Sequence, residues 1–200
     1  MSIHDGHHEH ATREAIRRVL GGVSVLAYSW FLMMVIHEAG HISGAIATGG
    51  TVQKIQLQPL AISKTDVAPN PNALFVVWAG PLVGALFPLT ALAVIRPQNA
   101  AIWQLALFFT GFCLIANGAY IAAGSFDQVG DCKVMLKEGS PMWMLWLFGG
   151  ISIPAGFFLW HRMGSFRRFL SFQNFASVHA AKPCIALLIL AAIQLITSFV

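Results

Sequence analysis

The chain has 200 residues, of which 56% are hydrophobic and only 10% charged. Soluble domains carry about 25% charged residues, so this composition excludes a water-soluble globular unit. The net charge of +4 comes from basic residues at the ends of apolar runs, where they act as topology signals rather than as a nucleic-acid footprint.

Several apolar runs reach the roughly 20 residues needed to cross a bilayer. The expected fold is an all-α polytopic membrane protein with about five transmembrane helices and one small membrane domain. Residues 1–18 read as a polar, histidine-rich tail, 19–140 as the membrane core, and 141–200 as C-terminal membrane helices with a basic interfacial segment. Cys113, Cys132 and Cys184 are odd in number and lack C-x-x-C spacing, so no disulfide framework is implied.

The tail carries His4, His7, His8 and His10, then Arg13, Arg17 and Arg18. It reads as a solvated segment leading into a short amphipathic helix. A cleaved signal peptide is excluded, because the apolar run that follows is too long and carries a chemical motif. That run, about Val19 to Ala47, is the first membrane helix, and Gly49-Gly50 stop it.

Inside this helix stands His37-Glu38-Ala39-Gly40-His41. Residues four apart share a helix face, so both imidazoles can meet one metal ion, and Glu38 beside them can act as general base on a water. This H-E-x-x-H arrangement means metal-assisted hydrolysis. The competing reading is a buried polar cluster that glues helices together. Ionisable residues at membrane depth cost roughly 2.5–3.5 kcal/mol each on insertion scales, which favours a functional site.

Thr51 to Asn72 differs in kind. Val52, Ile55, Leu57, Leu60 and Ile62 alternate with polar residues, predicting one or two short strands broken at Pro59. Such a strand beside a hydrolytic site can hold an extended peptide by β-augmentation, or lie as an ordinary hairpin on the membrane surface. A second helix spans about Ala73 to Ile95, with Ala79-Gly80-Pro81 near its start, and Arg96 to Asn99 turn the chain. The third runs from about Ala101 to Ala123 and contains Asn117, an unusual residue at that depth. A polar segment, Gly124 to Lys133, follows, and Gly130-Asp131 reads as a turn into a short amphipathic helix. A fourth helix covers about Pro141 to Trp160. His161 to Lys182 is basic and phenylalanine-rich, as an interfacial helix would be, and a last apolar run covers Pro183 to Val200.

With the N-terminus cytoplasmic, Arg13, Arg17, Arg18, Arg96, Arg162, Arg167, Arg168 and Lys182 gather on the cytoplasmic side. Lys54, Lys64, Lys133 and Lys137 face the other, which is the expected bias. The same arrangement puts the end of the first helix and the Asp127–Asp131 segment on one side.

A catalytic zinc takes three protein ligands and keeps one position open. His161 and His179 fall on the opposite side and are set aside, and Cys132 ranks below a carboxylate. Asp127 and Asp131 remain, each with the competing role of a loop carboxylate paired to Lys133 or Lys137. Asp131 is favoured because the short helix after it would fix its carboxylate, whereas Asp127 is nearer the third helix.

The H-E-x-x-H on a membrane helix, the Ala79-Gly80-Pro81 element and the Asn117-to-Asp131 segment together resemble the site-2 protease family of intramembrane zinc metalloproteases. The resemblance covers about Val19 to Lys137. It implies a three-helix metalloprotease core, Zn2+ held by His37, His41 and an aspartate, and Glu38 as base. It further implies Asn117 as a substrate-positioning residue, and a membrane-protein or peptide substrate cleaved in or near the bilayer. The family's Asn-x-x-Pro-x-x-x-x-Asp-Gly pattern is altered: Tyr120 stands at the proline position and Ser125 at the aspartate. Two rivals follow: a non-proteolytic metal-binding chaperone or regulator of the same fold, and a metal-ion transporter suggested by the histidine tail.

Overall fold

The computed structural model describes residues 3–58, 63–95 and 100–164. The chain divides into two compact units. Of the first, the described part is the beginning of helix α1 (Ile3–Ala47), where Arg18 pairs with Glu14 one turn away at 3.1 Å. The helix starts at Ile3, well before the expected Val19, because the polar segment is rich in helix formers such as alanine, glutamate and arginine.

The second unit, Phe31–Met163, holds the rest of α1 and every other described element. Thr48-Gly49-Gly50 close α1 in a Schellman turn. Gly49 adopts φ +75, and the amides of Gly49 and Gly50 bond back to Ile46 O and Ala45 O at 3.3 and 2.8 Å, satisfying carbonyls the helix leaves open.

The Thr51–Asn72 segment holds an antiparallel hairpin, β1 (Val52–Gln56) and β2 (Lys64–Val67), its second strand lying past the alternation that ends at Ile62. Val52 pairs with Val67, Ile55 with Thr65 and Gln56 with Lys64, with a register irregularity between Val52 and Lys54. Asn72 then caps α2 (Ala73–Ile95), its side-chain oxygen accepting from Phe75 N at 3.0 Å. Helix α2 keeps the bounds expected of it, despite Pro81 and Pro88 inside.

Helices α1 and α2 touch backbone to backbone. A side chain at Gly40 would overlap the Ala79 carbonyl oxygen, and one at Gly44 would lie 2.7 Å from Ala79 Cβ. Gly40→Ala is therefore expected to cost about 1–3 kcal/mol through forced separation of the two helices. Thermal unfolding in detergent checks it against Gly150→Ala, where a methyl meets nothing within 4 Å; equal behaviour of the two variants would refute the argument.

Helix α3 (Ala100–Asp127) continues one turn past the expected end at Ala123. Gly124 and Ser125 open the segment read as polar in sequence, yet both are buried in contacts. Gly124 admits Cys132 Sγ, and Ser125 Oγ accepts from Trp146 Nε1 at 3.0 Å. Helix α5 (Met142–Met163) packs antiparallel to α3 along small residues, Gly111 against Gly156 and Gly118 against Ser152. Trp160 locks the far end, stacking on Phe108 at 5.3 Å and donating to its carbonyl at 3.0 Å.

Between them lies α4 (Gly130–Lys137), the short helix expected after Gly130-Asp131. Its Cys132 and Met135 join Val77, Ile121 and Leu145 in a buried cluster. Trp78 Nε1 ties α2 to the following turn through Ser140 Oγ at 2.7 Å.

Four described helices are long and apolar enough to cross a membrane: α1 from Thr12, α2, α3 and α5. Their outward faces carry Phe87, Val94, Leu147, Ile151 and Phe157 exposed, as lipid contact demands. The chain is an all-α polytopic protein with one small hairpin. The expected interfacial segment after Met163 and the fifth span lie outside the described residues, as do Pro59, His179 and Cys184.

Candidate metal centre

His37 and His41 lie one turn apart on α1, ten and six residues before its end at Ala47, about 15 and 9 Å along the axis. Both are buried, 7% and 6% exposed, and Glu38 between them is 4% exposed. The ligating atoms of the three lie within 4.8 Å of one another. Room for the two rings comes from α2: any side chain at Gly80 would overlap His41 and crowd His37 Nε2. The Ala79-Gly80-Pro81 element thus matters as an absence of side chain beside the imidazoles.

The outer nitrogen of each ring is committed. His41 Nδ1 is 2.9 Å from Val76 O, which can only accept, so that nitrogen carries the proton. His37 Nδ1 is 2.7 Å from Asn117 Oδ1. The asparagine is oriented by its Nδ2, which donates to Cys113 O at 2.9 Å, leaving Oδ1 to accept from His37. In neutral rings both Nε2 atoms therefore present lone pairs.

Those lone pairs meet each other and a carboxylate. The Nε2 atoms are 3.1 Å apart, and Asp131 Oδ2 lies 2.8 Å from His37 Nε2 and 3.3 Å from His41 Nε2. Three acceptors converging without a cation repel one another. Donors bound to zinc at about 2.0–2.1 Å in a tetrahedron stand about 3.3 Å apart, close to the spacing here. The donor set thus fits a zinc-type ion with one position left open.

Asp127, the other candidate, is the last residue of α3 and exposed, away from the histidines. Gln128 at φ 51 and Gly130 at φ 52 turn the chain back, so α4 carries Asp131 into the site. Cys132 faces away, its thiol donating to Tyr120 O and Ile121 O at 3.6 and 3.4 Å, and burial pushes its pKa up to about 11. Asn117, 1% exposed, spends its amide inside the protein, on His37 and Cys113 O.

One contact to Glu38 has no motif behind it. Thr65 Oγ1, on β2, donates to Glu38 Oε2 at 2.5 Å, anchoring one carboxylate oxygen from the hairpin. Lys64, Thr65, Asp66 and Val67 line a cleft of about 480 Å3 that also contains Glu38, His41, Asn70 and Asp131. Asn70 Oδ1 is buried there and has no hydrogen-bond partner among the described residues.

A model of the family described as Peptidase M50B-like matches residues 15–123, just over half of the chain. No curated protein and no solved structure matches. The matched stretch carries His37, Glu38, His41, Asn117 and Tyr120, and stops short of both aspartates.

Proposed function

The chain belongs to the Peptidase M50B-like family, of site-2 protease type, and from that premise we propose that it is a zinc-dependent intramembrane endopeptidase. The observation that carries this reading is the meeting of His37 Nε2, His41 Nε2 and Asp131 Oδ2 within 3.3 Å, their outer protons already spent on Asn117 and Val76. These three residues would hold the ion. When bound, zinc supplies Lewis acidity toward a scissile carbonyl and lowers the pKa of water toward ~7.

The remaining work falls to the chain. Glu38 takes the attacking water's proton and returns it to the leaving amine. Thr65 fixes the face that this carboxylate turns to the cleft. Asn117 and the Val76 carbonyl keep both imidazoles aimed at the site.

Strand β2 forms one wall of the cleft, and among the described residues it pairs only with β1. Its other edge suits an extended peptide segment added as a third strand. Asn70 Oδ1, without a partner among the described residues, supplies an acceptor for a backbone N–H of that segment. The substrates are membrane-protein or peptide segments presented from the bilayer. The charge bias of the loops supports a cytoplasmic N-terminus, with the cleft opening away from the cytoplasm.

The test uses full-length protein in lipid vesicles with a mixture of synthetic single-span peptides. A zinc chelator is expected to reduce cleavage to background, and added Zn2+ to restore it. Cleavage indifferent to chelation would overturn the reading.

A further inference from the structure

The backbone amide of Asp131 takes its partner from outside its own helix. Helix α4 has only eight residues, and its N-cap Val129 makes no side-chain bond to the first turn; Cys132 N–H bonds to the Val129 carbonyl at 3.1 Å, and the Asp131 amide needs a partner from elsewhere. For Asp131 the partner comes from α3: its N–H donates to the Tyr120 hydroxyl at 2.9 Å.

The rest of Tyr120 engages the same corner. Its ring meets His37 edge-on, centroids 5.9 Å apart, and its backbone carbonyl accepts from the Cys132 thiol at 3.6 Å. Gly130, with φ +52, has no side chain where one would overlap the Tyr120 hydroxyl. Tyr120 follows Asn117 by three residues, so one face of α3 meets both His37 and the aspartate that His37 touches.

We propose that Tyr120 is a positioning residue for the carboxylate ligand. Its hydroxyl caps α4 from another helix and thereby sets where Asp131 Oδ2 stands relative to the two imidazoles. The inference rests on the metal-centre reading above. It concerns how the third ligand is placed, not which residue it is. Removing the hydroxyl frees the Asp131 amide and lets the first turn of α4 drift, while the phenyl ring keeps its packing on His37.

Tyr120→Phe in the full-length, detergent-purified protein tests it, with two readouts besides activity. Zinc affinity by chelator competition is expected to fall about 10–100-fold, the usual effect of losing an outer partner of a ligand. The visible absorption of the Co2+-loaded protein, which reports ligand geometry, is expected to change. Gly130→Ala provides a second variant: its methyl displaces the hydroxyl and should alter the cobalt spectrum in the same sense. Wild-type affinity and an unchanged spectrum in Tyr120→Phe would overturn this inference and leave the metal centre standing. A wild-type protein that binds neither ion would overturn the metal-centre reading itself, and this inference with it.

Discussion

Glu38→Gln is expected to lower peptide cleavage by about 10²–10⁴-fold, the usual share of a general base, while the protein stays folded and loaded with metal. Glutamine is isosteric with glutamate and still offers Thr65 an acceptor, so the 2.5 Å contact to the hairpin has a substitute. What the amide lacks is the ability to take a proton. Metal should remain because the carboxylate among the converging donors is Asp131, 2.8 Å from His37 Nε2, whereas Glu38 Oε2 is committed to Thr65. Cleavage assays and metal analysis on one preparation separate the outcomes. Cleavage that persists removes Glu38 as base. Metal lost with Glu38→Gln would make Glu38 a ligand. A wild type that holds zinc but cleaves nothing would leave the non-proteolytic regulator as the better account.

The centre of this site is written locally in the sequence, and its surroundings are not. His37 and His41 are four apart on one helix, so their shared face follows from helix geometry alone. Gly40, Gly44 and Gly80 mark close approach by composition, although nothing local says that Gly80 faces the imidazoles. The pairing of His37 with Asn117 spans 80 positions, and a buried asparagine announces only that it needs partners. Asp131 is legible through Gly130-Asp131, a turn into a short helix, whereas the end of α3 is not. Gly124 and Ser125 open a polar segment in sequence, but their small size serves packing against Cys132 and Trp146, so the helix runs on to Asp127. The extra turn leaves Asp127 at the exposed helix end, and Gly130 redirects the chain. Thr65 left no signal, because a threonine in a strand is ordinary until the strand is laid against Glu38. The Val76 carbonyl is invisible in the same way, since every residue has one.

Zinc content across four proteins should resolve the ligand set. The wild type is expected to hold about one zinc per chain, as a site of three protein donors and an open position would. His41→Ala removes one of two Nε2 donors, and Asp131→Ala removes the only negative charge among the three. Either should weaken binding beyond the ~10–100-fold that losing an outer partner costs, enough to strip the ion during purification. Asp127→Ala should change nothing, because that carboxylate ends α3 in the open. The aspartate variant carries the sharper argument. Without Asp131 the two Nε2 lone pairs still face each other at 3.1 Å, but no anion balances a divalent ion in a buried place, where an uncompensated charge is costly. Retention of zinc in Asp131→Ala with loss in Asp127→Ala would mean that the end of α3 unwinds to deliver the other carboxylate. Retention in both would leave Glu38 as the third donor, and the division of labour between base and ligands would have to be redrawn.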